Sequence, residues 1–341
     1  MTRAAPKPLG LPSGPRSHEK GFMNHDDDRA SAPDIPAHSP VAVRSRNGAT
    51  ENVHYGTVIV YDGVGQSLLS VGDPEAVMYL RSALKPFQLL TMVQYGLQLP
   101  ARLLALAVGS HNGAPEHLAG VSEILTSHGL READLIAPED FPFGPAERRE
   151  WLAKNRSARR VAHCCSGKHA AMLATCVVNG WSLKNYSQPQ HPLQLAIRNT
   201  IETVTKSAVG ALSVDGCGAP AFALPLDAVV RAFGQLAAAT SSAKAMIANA
   251  MRRYPEFVAG AERDVTTVMQ SVPGLLAKDG ADGIQLMAFP SGAAIGVKIA
   301  DGADAPRMPV TLAALEAVFP GFADQRLRTA FSSDLRPVAF S

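Results

Sequence analysis

Ser82 and Lys85, in Arg81-Ser82-Ala83-Leu84-Lys85-Pro86, stand three residues apart, which on a helix puts a hydroxyl and an amine on one face. A serine alcohol is a weak nucleophile until a base takes its proton, and a lysine amine is a base only when neutral. An ordinary lysine titrates near pH 10.4, so service at neutral pH needs a depression of about 3 units, worth roughly 4 kcal/mol. Burial and a second cation supply that depression. With Ser82 read as an N-cap, Pro86 falls in the first helical turn, where a missing N–H costs little. The plain alternative is a capping serine beside a solvated lysine.

A second serine, Ser110, follows the apolar run Leu103-Leu104-Ala105-Leu106-Ala107-Val108-Gly109 and precedes His111-Asn112-Gly113. Polar residues just past a buried element reach sites, or simply form turns. Lys298 lies in Ile295-Gly296-Val297-Lys298-Ile299, where period-two alternation sets it opposite Val297 and Ile299. A lysine in such a strand is at a sheet edge or has chemistry to do. Ser-x-x-Lys is the nucleophile motif of serine β-lactamases and penicillin-binding proteins, whose sites also hold a lysine from a sheet strand. Lys298 is the expected counterpart, and two lysines in one pocket depress each other.

A third constellation is His163-Cys164-Cys165-Ser166-Gly167-Lys168-His169 together with Asp215-Gly216-Cys217-Gly218. Cys-x-x-Lys is not a standard zinc signature, so spacing alone leaves metal-binding and structural readings open. Cys176 reads as a small core residue. Four cysteines in 341 residues do not make a disulfide framework.

The elements that must position these groups follow from hydrophobic patterning. Thr57–Tyr61 and Ser67–Val71 read as a hairpin around Asp62-Gly63-Val64-Gly65, and Ile284–Phe289 and Ala293–Ile299 as another around Pro290-Ser291-Gly292. Helices are expected over 82–97, 115–128, 166–179, 192–205, 226–238, 243–252 and 309–318. Strands near both ends with helices between them predict an α+β fold, one antiparallel sheet with helices packed against it. Lys278-Asp279-Gly280-Ala281-Asp282-Gly283 reads equally well as a plain turn cluster or a loop before that sheet.

Composition narrows the class. With 46% hydrophobic and 18% charged residues the chain is globular, and 32 basic against 30 acidic residues leave no field for nucleic acid or an anionic membrane. A small-molecule partner is expected. No apolar run is long enough for a membrane span and the first thirty residues lack a secretory pattern, so a cytoplasmic location is expected. Residues 1–50, rich in proline and charge, are expected to be a disordered tail, 51–325 the catalytic domain and 326–341 a C-terminal extension.

Five blocks in register carry a resemblance: Arg-Ser-Ala-Leu-Lys-Pro at 81–86, Ser-His at 110–111, Cys-Ser-Gly-Lys-His at 165–169, Asp-Gly-Cys-Gly-Ala-Pro at 215–220 and Val-Lys-Ile-Ala-Asp-Gly at 297–302. Together they resemble the rhizobial-type, thermolabile L-asparaginase family. The resemblance implies a serine β-lactamase/glutaminase-like fold, a homodimer, and hydrolysis of the side-chain amide of L-asparagine. It further implies two serine–lysine tandems, Ser82 with Lys85 and Ser110 with Lys298, and zinc held by Cys165, Lys168 and Cys217. Arg81, His169 and Asp215 would line the substrate pocket, Arg81 toward the carboxylate and Asp215 toward the ammonium. Ser82 is taken as the first nucleophile, with backbone N–H groups at the helix start receiving the oxyanion. Two departures from the family pattern stand out, the extra thiol of Cys164 and Gly218 where a bulkier polar residue is expected. The alternatives are a glutaminase or penicillin-recognising acyl hydrolase of the same fold, and a non-catalytic zinc or amino-acid binding protein.

Overall fold

The structure, a computed structural model, describes residues 35–331 and 334–340. Strands β1 (Ser39–Arg46), β2 (Ala49–Tyr61), β3 (Ser67–Val71) and β4 (Val77–Tyr79) open it, and β5 (Ala211–Val214) and β6 (Pro220–Pro225) lie mid-chain. Strands β7 (Leu276–Gly280), β8 (Ile284–Ala288), β9 (Ala294–Ile299) and β10 (Leu335–Pro337) come late. The main sheet runs β10-β1-β2-β9-β8-β7 with β3 also on β2, and a small sheet runs β4-β6-β5. Every pairing is antiparallel. The expected α+β class is therefore observed, and both expected hairpins meet at the centre, where β2 pairs with β9.

Between the strands lie α1 (Lys85–Gln94), α2 (Ala101–Val108), α3 (Pro115–Thr126), α4 (Pro145–Ala153), α5 (Ser166–Val178) and α6 (Pro192–Thr205). They are followed by α7 (Leu226–Ala237), α8 (Ser242–Arg253), α9 (Pro255–Val258), α10 (Asp264–Ser271), α11 (Arg307–Val318) and α12 (Gln325–Ala330). Helices α7 and α11 both pack on the central strands, so β8 is buried at every position. Gly296 of β9 makes that approach possible: a Cβ there would lie 2.2 Å from Val230 and 3.0 Å from Leu226 of α7. The alternation of Ile295 and Val297 with glycine between them thus records a helix lying against the sheet.

Of the expected tail, residues 1–34 lie outside the described residues, while Ser39–Arg46 form β1. The expected C-terminal extension contains β10, which pairs with β1 through Ala42, Val43 and Arg44. Among the described residues no helix is long and apolar enough to cross a membrane.

Candidate active site

Ser110 sits just beyond the end of α2. Gly109, the residue at that end, lets another segment come close, since a Cβ would lie 2.7 Å from the Phe257 carbonyl. The chain is then clamped on both sides: the Ser110 and Asn112 N–H groups donate to the Val258 and Ala259 carbonyls at 2.8 Å, and the His111 N–H donates to the Cys164 carbonyl at 3.1 Å. Ser110 is thereby presented, 9% exposed, to two buried amines. Lys85 Nζ lies 3.0 Å from Ser110 Oγ and also donates to the Gly109 carbonyl. Lys278 Nζ lies 3.1 Å from the same oxygen.

The expected partner of Ser110 was Lys298, and here the structure corrects the reading. Lys298 Nζ donates to the carbonyls of Asp282 and Ile299 at 2.6 and 2.7 Å. The register explains it: Lys278 pairs with Leu286, which pairs with Gly296, whereas Lys298 pairs with Ile284 two residues further along. Lys298 is also two strands away from β7, about 9.6 Å at ordinary strand spacing. The turn-like stretch from Lys278 begins inside β7, and its lysine takes the place by Ser110.

Lys278 is fully buried, and its amine donates to the Asp279 carboxylate and, at 2.8 Å, to the Asp279 carbonyl. Burial, helped by the charge of Lys85, pushes Lys278 down to about 8, although Asp279 pulls the other way. Burial alone would raise Asp279, but Lys278, Arg263 and Arg307 together hold it well below the usual carboxylate range. Arg263 clamps it from the other side at 2.7 Å. Nothing in the sequence singles out Asp279 and Arg263, because β7 has the composition of a turn and the burial of its Lys-Asp pair belongs to the fold.

Ser82 differs from its expected place as an N-cap. It lies in a 3-10 turn, Arg81–Leu84, and α1 begins only at Lys85 with Pro86 next. Two of the helix-start donors expected for an oxyanion are otherwise engaged, the Lys85 N–H with the Ser82 carbonyl and the Ala83 N–H with the Leu80 carbonyl, and Pro86 has none. Arg81 adopts φ of 50°, a left-handed conformation costing about 1 kcal/mol or more in a non-glycine residue. The 3-10 turn abuts β7, where a Cβ on Gly280 would lie 2.7 Å from the Leu80 carbonyl. The turn carrying Ser82 and the strand carrying Lys278 are neighbours.

Arg81 and Asp215 face each other, joined through Nε at 2.9 Å and Nη2 at 2.7 Å, with Asp282 also on Arg81. Asp215 belongs to a tight turn in which the Gly218 N–H donates to the Asp215 carbonyl at 2.8 Å. Gly218 has φ of +83°, so the departure at this position has a backbone reason. His169 is buried; its Nδ1 bonds the Tyr186 hydroxyl at 2.9 Å, and its Nε2 has no protein partner. Burial and the Lys168 charge keep this ring neutral.

Beside these groups Cys165, Cys217 and Lys168 form a buried cluster, with Lys168 Nζ 3.1 Å from Cys217 Sγ. Hydrogen bonds from Cys164 and Cys217 hold Cys165 well below an ordinary thiol. Burial opposes the Lys168 charge, but Cys217, Cys165 and Asp215 outweigh it and raise the ammonium. Two sulfurs and a lysine nitrogen converging out of water are a donor set suited to a borderline-soft divalent ion, which must displace the ammonium proton to take the nitrogen. The residues present fit a metal. His163, Cys164 and Cys165 also place ligand atoms within 4.8 Å of one another.

Two buried amines meet at the hydroxyl of Ser110, and the sequence comparison names the family to which such a chain belongs. The family model for L-asparaginase II matches residues 42–336, and the chain belongs to that family. It is an amidohydrolase of the L-asparaginase type. No match was found among curated proteins. Among solved structures, a beta-lactamase from Mycobacterium bovis is similar over 81% of this chain and 95% of its own, at 16% identity and TM-score 0.36. A hydrolase with promiscuous acyltransferase activity is similar over 82% and 93%, at 14% identity and TM-score 0.38. A protein described as Mglu is similar over 76% and 66%, at 14% identity and TM-score 0.33.

Proposed function

We propose that the protein hydrolyses L-asparagine to L-aspartate and ammonia through a serine activated by lysine. The observation that carries this reading is the Ser110 hydroxyl held at 3.0 and 3.1 Å between two buried amines, Lys85 and Lys278. Lys278 gives up its proton more readily than an ordinary lysine, because burial opposes its charge. Exchange through Ser110 transfers the vacancy to Lys85, which becomes the base for Ser82 on the preceding turn. Ser82 attacks the side-chain amide carbon, Lys85 takes the Ser82 proton and returns it to the leaving nitrogen, and ammonia departs. Water, deprotonated by the same lysine, then cleaves the ester.

The Arg81–Asp215 pair is matched to the two charges of a free amino acid. On binding, the substrate carboxylate takes the Arg81 side and its ammonium the Asp215 side, so one ion pair is exchanged for two. Cys165, Lys168 and Cys217 would hold zinc, whose Lewis acidity would help position the substrate. The same family suggests a homodimer.

A second reading has its own support: the contacts of Ser110 with both amines favour Ser110 as the attacking group. Trapping the acyl-enzyme by rapid acid quench and mapping the modified peptide decides between them. The expected adduct is on Ser82; an adduct on Ser110 reverses the two roles, and loss of ammonia release in neither Ser82→Ala nor Ser110→Ala removes the serine mechanism altogether.

A further inference from the structure

Arg81 already carries two carboxylates. Its Nε, at 2.9 Å, and its Nη2, at 2.7 Å, hold the same oxygen of Asp215, and its Nη1 holds Asp282. A planar guanidinium grips a carboxylate through two parallel N–H groups. The Nε–Nη2 edge is taken by Asp215, which leaves the Nη1–Nη2 edge for a further carboxylate, and Asp282 sits on it.

The two acids are not held alike. The Asp215 side chain is 15% exposed and also accepts the Gly216 N–H at 2.9 Å, inside a turn closed by its own backbone bonds. The Asp282 side chain is 59% exposed, and Arg81 is the only hydrogen-bond partner of its carboxylate among the described residues. The Asp282 backbone, by contrast, is fixed. It lies in the turn between β7 and β8 with φ of 63°, its carbonyl accepts Lys298 Nζ at 2.6 Å, and the next carbonyl, of Gly283, accepts the Ile299 N–H at 2.9 Å. A firmly held turn thus presents a side chain whose one tie is to Arg81, and Lys298 helps to hold that turn.

We propose that Asp282 is a resident stand-in for the substrate carboxylate: it sits on Arg81 before substrate binds and is displaced by L-asparagine, so that it sets how strongly the site favours ligands with an α-carboxylate. This rests on the reading of Arg81 as the seat of that carboxylate and adds a competitor to it. A carboxylate that displaces Asp282 exchanges one anion on Arg81 for another, and gains only the difference. An amide without a carboxylate leaves the Asp282 contact in place.

The test compares wild type with Asp282→Asn and Asp282→Gly, since both replacements tolerate a positive φ. The ligands are L-asparagine and 3-aminopropanamide, which keeps the ammonium and the amide and lacks the carboxylate. In both variants KM for L-asparagine and the inhibition constant of L-aspartate should fall about three- to fivefold, the scale of a partly exposed ion pair, with kcat changing by less. The constants for 3-aminopropanamide should not move. An unchanged or raised KM for L-asparagine overturns the proposal. So does an equal fall for both amides, which would mark an altered turn and not a competitor removed. A wild-type enzyme that binds the two amides equally well shows that Arg81 does not read the carboxylate; the substrate reading then fails, and the proposal with it.

Discussion

Lys278 Nζ lies 3.1 Å from Ser110 Oγ, reaching it from the edge strand of the main sheet, whereas Lys298 on β9 is tied to the Asp282 and Ile299 carbonyls. Replacing each lysine separates them. Lys278→Ala should lower kcat for asparagine by about two orders of magnitude or more, the usual worth of a positioned proton-transfer group. Lys298→Met should stay within several-fold of wild type. Comparable losses in both would return Lys298 to the chemistry.

The acid side of the pH profile should follow Lys278. Its amine loses the proton at about 8, so the form with one neutral amine is the minority at pH 7. Below pH 8, kcat should rise about tenfold per pH unit and level off above it. Stability moves in the same direction: the unfolded lysine, at its ordinary 10.5, binds the proton more tightly than the folded one. Raising the pH from 8 to 10.5 therefore relieves a cost of the folded state that is fully present below pH 8. A kcat flat between pH 6 and 9 would contradict this assignment.

Asp279 should matter as much to folding as to turnover. Asp279→Asn leaves the buried Lys278 amine without its carboxylate, and breaking such a pair costs about 3–5 kcal/mol. Urea unfolding measures that loss. In the surviving folded enzyme the acid limb should shift to lower pH, since Asp279 is the group that raises Lys278. An unmoved limb with normal stability would show that Asp279 is a bystander.

For Asp215→Asn the effect should fall on KM. The side chain keeps its shape but no longer matches a substrate ammonium, so KM for asparagine should rise at least about tenfold, the 1.4 kcal/mol scale of one weakened charged hydrogen bond. A change confined to kcat would move Asp215 from recognition to chemistry.

Gly296→Ala tests the fold independently of the site. A methyl 2.2 Å from Val230 must push α7 off the sheet, which should cost about 1–3 kcal/mol in chemical denaturation. Wild-type stability would mean that α7 yields freely.

Most helices were legible because their apolar period and their stops coincide, as in α6, whose observed span Pro192–Thr205 is the expected one. The central hairpins were legible for the same reason. Strand β7 was not: Leu276-Ala277-Lys278-Asp279-Gly280 has the composition of a turn, and only distant partners, Ser110 and Arg263, allow two charges to lie buried there. The alternation around Lys298 is real, but it fixes a face of the sheet and not which of several strands borders the serines. Ser82 was found by spacing, while the 3-10 turn that displaces it from the helix cap depends on the strained backbone at Arg81, which no periodicity encodes.

The pairing of β10 with β1 bears on how the enzyme is handled. A protein trimmed at residue 325 would strip the outer rung from the sheet and leave the backbone of Ala42–Arg44 bare, a template on which other molecules stack.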